Sequence, residues 1–225
     1  MANPLKILIS GGMGGIGRAT AVRLAKDGHR VCVLYHHTPK DTADAFVASL
    51  GEGHTALPCD MSQTAQIGDM VQEAYERLGG LDVCVHAAVS PLVRQKMATI
   101  TLQDFRAQFE VTTFGGLALF QAVLPYLQQQ KRGVLIGITS ATLEGRAPSG
   151  MAGYLAAKFA LHGVLRDLAA EVGAAIAVHE LAPGFVDTPL NADLPQPVRE
   201  FITSRTPTQT PEDVAADIAK LCVLP

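Results

Sequence analysis

The chain lacks the excess of positive charge that nucleic-acid binding calls for: 18 Lys and Arg stand against 21 Asp and Glu, a net charge of −3. It has no apolar run near the roughly 18 residues of a membrane-spanning helix. The opening Met1-Ala2-Asn3-Pro4-Leu5-Lys6 runs straight into a short apolar stretch, without the longer apolar core and cleavage site of a secretory signal. Cysteines are few, and Cys32, Cys59, Cys84 and Cys222 show neither C-x-x-C spacing nor clustered histidines. That argues against a metal site and a disulfide framework. It fits small apolar side chains in a reduced, cytoplasmic setting. No linker, internal repeat or low-complexity tract divides the 225 residues, of which 48% are hydrophobic. Residues 1–225 therefore read as one domain around one large core.

What is present is an alternation. Lys6–Ser10 is a short apolar run that reads as a buried strand. Residues 15–27 carry Ile16, Ala19, Val22, Leu24 and Ala25 at helical spacing and stop at Gly28. Residues 31–35 read as a second strand, 41–50 as a helix and 54–58 as a third strand. Residues 67–78 form a helix ended by Gly79-Gly80, and 81–85 a fourth strand. A long helical pattern over 102–130, interrupted by Gly115-Gly116 and Pro125, precedes a strand at 133–139. A helix at 151–172 and a strand at 174–181 follow, and a last helix spans 211–224, capped by Thr210. Such alternation implies a parallel sheet covered on both faces, an α/β doubly wound (Rossmann-type) fold. Residues 188–208 are polar and hold Pro189, Pro195, Pro197 and Pro207, a composition expected of a mobile substrate lid.

Two motifs carry chemistry. Directly after the first strand, Ser10-Gly11-Gly12-Met13-Gly14-Gly15-Ile16-Gly17 contains G-x-x-x-G-x-G. Glycines let backbone amides approach a ligand, and the helix that follows presents its positive end to a pyrophosphate. Further on, Tyr154 and Lys158 lie four residues apart, so both project from one face of a helix. An ammonium beside a phenol favours the phenolate, which suits Tyr154 to proton exchange near neutrality. Ser140, a short loop upstream, is placed to hold a substrate oxygen.

Taken in order, these motifs resemble the short-chain dehydrogenase/reductase family over nearly the whole chain. The family turn T-G-x-x-x-G-I-G is matched by Ser10 to Gly17, with Ser for Thr. Cys59-Asp60-Met61-Ser62 matches a C-D-x-S-like stretch, and Pro183-Gly184-Phe185-Val186-Asp187-Thr188 matches P-G-x-x-x-T. The resemblance implies that Ser140, Tyr154 and Lys158 are catalytic, with Thr112 where the family has its fourth catalytic residue, an Asn. It implies cofactor contacts at Ser10, Gly11, Met13, Gly14, Gly15, Ile16, Gly17, His36, His37, Asp60, Met61, Ala87, Ala88, Tyr154, Lys158, Pro183, Gly184, Val186 and Thr188. Asp60 would accept from the adenine amino group, Lys158 would hold the nicotinamide ribose, and residues 183–188 would close over the nicotinamide. The strand-2 end, Val33-Leu34-Tyr35-His36-His37-Thr38-Pro39-Lys40, has Tyr35 where an NAD-preferring fold has an acid. With His36, His37, Thr38, Lys40 and Arg18 close by, NADPH/NADP is expected rather than NADH.

Three departures stand out. The family's N-N-A-G reads His86-Ala87-Ala88-Val89, with His86 a structural brace in place of the asparagines. Thr112 replaces the Asn, and its hydroxyl offers fewer hydrogen bonds to a proton relay. The chain stops at Pro225, so the family's seventh strand is expected to be missing, through truncation or a different sheet edge, and dimerisation to be weakened. The layout most resembles 3-oxoacyl-(acyl-carrier-protein) reductases. It implies NADP(H)-dependent reduction of a ketone, a 3-oxoacyl thioester, with Tyr154 as general acid, in a homo-oligomer (dimer or tetramer). Lys131-Arg132 would face an acyl-carrier protein or simply complement a helix C-terminus. Leu190, Leu194 and Phe201 would form an apolar substrate wall or only cover the core. The alternative is a non-reductase role on the same fold: cofactor binding or regulation, dehydration or epimerisation.

Overall fold

Six strands hydrogen-bond in the order β3-β2-β1-β4-β5-β6, all parallel. They are β1 (Lys6–Ser10), β2 (Arg30–Tyr35), β3 (Thr55–Pro58), β4 (Val83–His86), β5 (Gly133–Ile138) and β6 (Ile176–Leu181). This computed structural model of the chain describes residues 3–144, 149–204 and 208–225, without the side chain of Phe201. Of the residues singled out above, Met1, Ala2, Pro207 and the Phe201 side chain lie outside the described residues. The chain lays down β1 to β3 outward, then returns past β1 to β4. The strand order therefore reverses between β1 and β4, and a crevice opens beyond their carboxyl ends, where such sheets bind ligands. No seventh strand follows β6 in this sheet among the described residues.

Burial on both faces explains the near-continuous apolar strands. In β1, Leu8 points to one core, with Leu119 and Val123 of α5 (Gly115–Gln130), Ile67 and Val71 of α3 (Thr64–Leu78), and Leu161 of α6 (Ala152–Glu171). Its neighbours Ile7 and Ile9 point to the other core. There they meet Ala21 and Leu24 of α1 (Gly15–Lys26), Phe46 of α2 (Lys40–Ser49), and Val214 and Ile218 of α8 (Pro211–Leu221). Thr210 caps α8 through a reciprocal box with Asp213, as its sequence position suggests. The four cysteines are free and buried, and burial raises their thiol pKa values, that of Cys59 to about 11.

The long helix departs from its expected breaks. It divides earlier, into α4 (Leu102–Phe109) and α5, through a π-helical turn at Glu110–Phe114. It then continues through Gly115, Gly116 and Pro125. Residues 188–208 also hold more structure than their prolines suggest: a 3-10 turn at Pro189–Asn191 and α7 (Gln196–Thr203). Pro195 precedes α7 and Pro197 sits in its first turn, where no N–H is required. A two-residue strand β7 (Phe185–Val186) pairs in parallel with β8 (Thr208–Gln209).

Candidate active site

The crevice is a cleft of about 1300 Å³ that runs from the β1–α1 turn past the ends of β2 and β4. Of the expected cofactor residues, Gly11, Met13, Gly14, Gly15, Ile16, Gly17, His36, His37, Asp60, Met61, Ala87, Ala88 and Thr188 line it. Ser10 lies fully buried behind it, and Tyr154, Lys158, Pro183, Gly184 and Val186 stand outside the lining. At Gly11 the backbone is left-handed (φ 67°), and a Cβ there would stand 2.8 Å from Ala88 backbone atoms. A Cβ at Gly17 would meet the Gly11 carbonyl oxygen at 2.2 Å. The turn is thus closed on itself and against β4, which only glycine permits. Helix α1 starts after Gly14, its N-cap, with no capping side chain and no acidic residue in its first turn, so its amino-terminal amides are left for an anion.

His86 ties the walls of the cleft together. Its Nε2 lies 3.0 Å from the Thr112 carbonyl oxygen and its Nδ1 2.8 Å from Ser10 Oγ. A carbonyl only accepts, so Nε2 carries the proton and Nδ1 accepts from the Ser10 hydroxyl. Ser10 Oγ in turn accepts from the Ala88 amide at 3.4 Å. One neutral ring thereby joins β1, β4 and the π-helical turn. Burial, with the nearby Lys158 charge, lowers its pKa to about 4. The Thr112 hydroxyl itself is buried without a hydrogen-bond partner among the described residues.

Along the β2–β3 side of the cleft, Asp60 Oδ1 accepts from the Ser62 amide at 2.9 Å and its hydroxyl at 2.8 Å, while Oδ2 lies 3.7 Å from His36 Nε2. Burial works to raise the Asp60 pKa, but the Ser62 bonds and the charges of His36 and His37 together hold it below its usual value. The His36 and His37 ring centres lie 4.0 Å apart, with the ring planes tilted by 36°. Two further cations expected here turn elsewhere: Lys40 pairs with Asp44, and the Arg18 guanidinium lies 4.3 Å from the centre of the Phe46 ring. Tyr35 is buried.

Ser140, Tyr154 and Lys158 gather beyond β5. Ser140 acts on Tyr154 in the direction that favours its phenolate, and its Oγ lies 2.8 Å from Thr142 Oγ1. Lys158 is 4% exposed and donates to the Ile138 carbonyl at 2.5 Å. Its Nζ is 5.8 Å from the Tyr154 ring centre, and burial brings its pKa down to about 8. The electrostatics differ from the sequence expectation. Burial raises the Tyr154 pKa, and the groups that oppose this are Ser140 and the charge of Arg94. Lys158 is not among them; its ammonium donates to the end of β5. Arg94 went unnoticed in the sequence, where a lone arginine in a loop carries no signal.

The substrate-side residues named from sequence are divided. Leu190 lines the cleft and Leu194 does not. Lys131 ends α5 in a left-handed conformation (φ 56°), and Arg132 turns toward the buried Asp82 at 3.4 Å. Val89, Ser90, Gln103, Arg106 and Glu110, none of them chosen as site residues, also line the cleft. No cluster of side chains able to hold a metal ion occurs among the described residues, and no helix of the described chain is long and apolar enough to cross a membrane.

A reversed strand order with a glycine turn at the switch point, and a Ser-Tyr-Lys set beyond β5, define a dinucleotide-type oxidoreductase scaffold. Comparison with known proteins agrees. A family model described as enoyl-(acyl carrier protein) reductase matches residues 11–223, and the chain belongs to the short-chain dehydrogenase/reductase family. It is 31% identical over 223 residues to the 3-oxoacyl-(acyl-carrier-protein) reductase of Thermotoga maritima, covering 92% of this chain and 86% of that protein. It is 29% identical over 213 residues to the 3-hydroxyacyl-CoA dehydrogenase type-2 of Drosophila melanogaster, covering 89% and 82% respectively. A short-chain dehydrogenase from Burkholderia cenocepacia, solved in complex with NADP, superposes with a TM-score of 0.86 at 29% identity, covering 97% of this chain and 90% of that one.

Proposed function

We propose that the protein is an NADP(H)-dependent ketoreductase whose substrate is a 3-oxoacyl thioester carried on acyl-carrier protein or coenzyme A. The observation that carries this reading is the grouping of Ser140 and Tyr154 beyond β5, with buried Lys158 one turn along α6 and its Nζ 5.8 Å from the Tyr154 ring centre. Relatives named for 3-oxoacyl-(acyl-carrier-protein) and 3-hydroxyacyl-CoA support the thioester, and a structural neighbour holding NADP supports the cofactor.

The residues fit the dinucleotide. The uncapped start of α1 and the glycine turn suit the pyrophosphate. Asp60 and the His36-His37 pair, with no acid at Tyr35, suit an adenosine bearing a 2′-phosphate. The nicotinamide would supply the hydride. Ser140 would donate a hydrogen bond to the substrate carbonyl oxygen and fix its direction. Tyr154, protonated because burial raises its pKa, is the general acid that gives its proton to that oxygen as negative charge develops. Lys158, with a pKa near 8, is still largely cationic at neutral pH and places positive charge behind the reacting centre. Thr188 stands with Gly15 at the mouth of the cleft, its Cγ2 2.6 Å from where a Gly15 Cβ would lie, so the segment after β7 closes directly on the glycine turn. Exposed Phe114, Leu117 and Phe159 give the helical side an apolar surface suited to a homo-oligomer.

The test is nicotinamide absorbance with NADPH and, separately, NADH against a short 3-oxoacyl thioester, with Tyr154→Phe as control. Oxidation of NADPH that the variant abolishes is the expected result. NADPH binding seen by fluorescence, with no turnover over a broad panel of carbonyls, would sink the reading in favour of a non-reductase role.

A further inference from the structure

Arg94 lies in the loop between β4 and α4, and the catalytic reading gives it no part. Its side chain is 23% exposed, and all three guanidinium nitrogens are engaged. Nε donates to Asp193 Oδ2 at 3.0 Å and Nη2 to Asn191 Oδ1 at 2.8 Å. Nη1 reaches Met151 Sδ at 3.4 Å. Next to it, the Gln95 amide donates to the Gly150 carbonyl at 3.0 Å. Met151 is the residue from which α6 starts, and Tyr154 stands in the first turn of that helix. Asn191 extends the link: its Nδ2 donates to the Val186 carbonyl at 3.0 Å, and its own carbonyl accepts from Arg199 at 3.0 Å. Arg199 also pairs with Asp187. One guanidinium thus joins three segments far apart in sequence: the loop after β4, the start of α6, and the excursion after β7. Asp193, Leu190 and Ala192 of that excursion line the cleft.

We propose that Arg94 is a positioning residue for the reaction, latching residues 188–193 to the start of α6 while holding a fixed positive charge beside Tyr154. This rests on the ketoreductase reading above. A planar five-donor fork suits the role, since it meets three partners at once, and a lysine ammonium would not reproduce that geometry. The Tyr154 pKa, raised by burial, is moderated by Ser140 and by this charge. Arg94 acts on that ring, Asp193 pairs with Arg94, and Lys158 Nζ lies 5.8 Å from the ring centre one turn along α6. The loop and the acid are therefore coupled: where the segment stays latched, the charge stays in place.

Two readouts test this without cofactor, substrate or turnover. The first is hydrogen exchange of the Asn191, Ala192 and Leu194 amides, which donate to the Thr188, Pro189 and Asn191 carbonyls. The second is the ultraviolet titration of tyrosinate, with Tyr154→Phe subtracted to isolate Tyr154 from the other three tyrosines. Arg94→Met should speed exchange at 188–194 by about tenfold or more, the loss of two charge-assisted bonds, and move the Tyr154 titration to higher pH. Arg94→Lys should speed exchange but leave the titration in place. Asn191→Ala/Asp193→Ala, which keeps the cation and removes its partners, should speed exchange and leave the titration in place or move it lower. Unchanged exchange in all three variants overturns the latch, and an unchanged titration in Arg94→Met overturns the placement beside Tyr154. Because Arg94→Lys and the double variant retain most of the packing, misfolding of Arg94→Met alone leaves the latch testable. Failure of the wild-type protein to reduce any carbonyl would overturn the function while leaving both readouts intact.

Discussion

The two ends of the cleft are built by different means. At the cofactor end, backbone does the shaping: the turn from Ser10 to Gly17 closes on its own carbonyls and on the Ala88 backbone, and α1 offers uncapped amides. Toward the proposed substrate end, side chains from distant segments do it: Arg94 holds Asn191, Met151 and the cleft-lining Asp193 together, with little regular backbone between them. A backbone-built site tolerates few substitutions at its glycines and is rigid. A side-chain-built site can change its partners, and so its substrate, without disturbing the sheet. His86 stands at the junction, with one nitrogen toward Ser10 of the cofactor end and the other toward the π-helical turn leading to the substrate end.

The comparison is broken most directly by Tyr154→Phe. If proton transfer belongs to the substrate end alone, turnover should fall by roughly 10²–10⁴-fold while NADPH affinity, measured by fluorescence titration, stays within a few-fold. A matching loss of affinity would mean the two ends are not separable.

Acid tests the junction. His86 has its folded pKa lowered from 6.5 to about 4, so as pH falls through this window the unfolded chain takes up the proton first. Stability from this ring is fully present above about 6.5 and is lost on the way down to about 4, an amount on the order of 3 kcal/mol. Denaturant unfolding followed across that window should show the decline, and His86→Gln, which does not titrate, should flatten it. Equal slopes in the two proteins would contradict a buried neutral ring.

Gly17→Ala probes the backbone end. Its new Cβ would collide with the Gly11 carbonyl at 2.2 Å, and a shift of the turn should cost about 1–3 kcal/mol in stability. NADPH affinity should fall with it, while the Tyr154 titration stays where it was. A variant that binds as well as wild type would show the turn to be slack.

The same division explains what the sequence made legible. The strands and most helices follow from apolar periodicity and glycine stops, and Gly11, Gly15 and Gly17 from their fixed spacing, because these are local signals. The π-helical turn at Glu110–Phe114 was not legible, since its cause is tertiary: it frees the Thr112 carbonyl to meet His86, a residue 26 positions away. Helix α7 was hidden by its prolines, which mark its first turn rather than its absence. Arg94 was hidden for the reason just given, as its three partners are 57 to 99 positions distant.

The smallest effect is expected at Thr112. Its carbonyl works for His86 through the backbone, which any residue supplies, but its hydroxyl is buried with no partner among the described residues. Thr112→Val keeps the shape, removes the unpaired oxygen and leaves the carbonyl bond, so stability should hold or rise by up to about 1 kcal/mol. If the hydroxyl takes no part in proton delivery, turnover should change less than twofold while Thr112→Gly, which loosens the π-helical turn, should reduce it. A loss of turnover in Thr112→Val that Thr112→Ser restores would instead assign the hydroxyl a proton-carrying role. The substrate end would then depend on a solvent route beneath the sheet as well as on its loops, and the boundary between the two halves would run through this side chain rather than through His86.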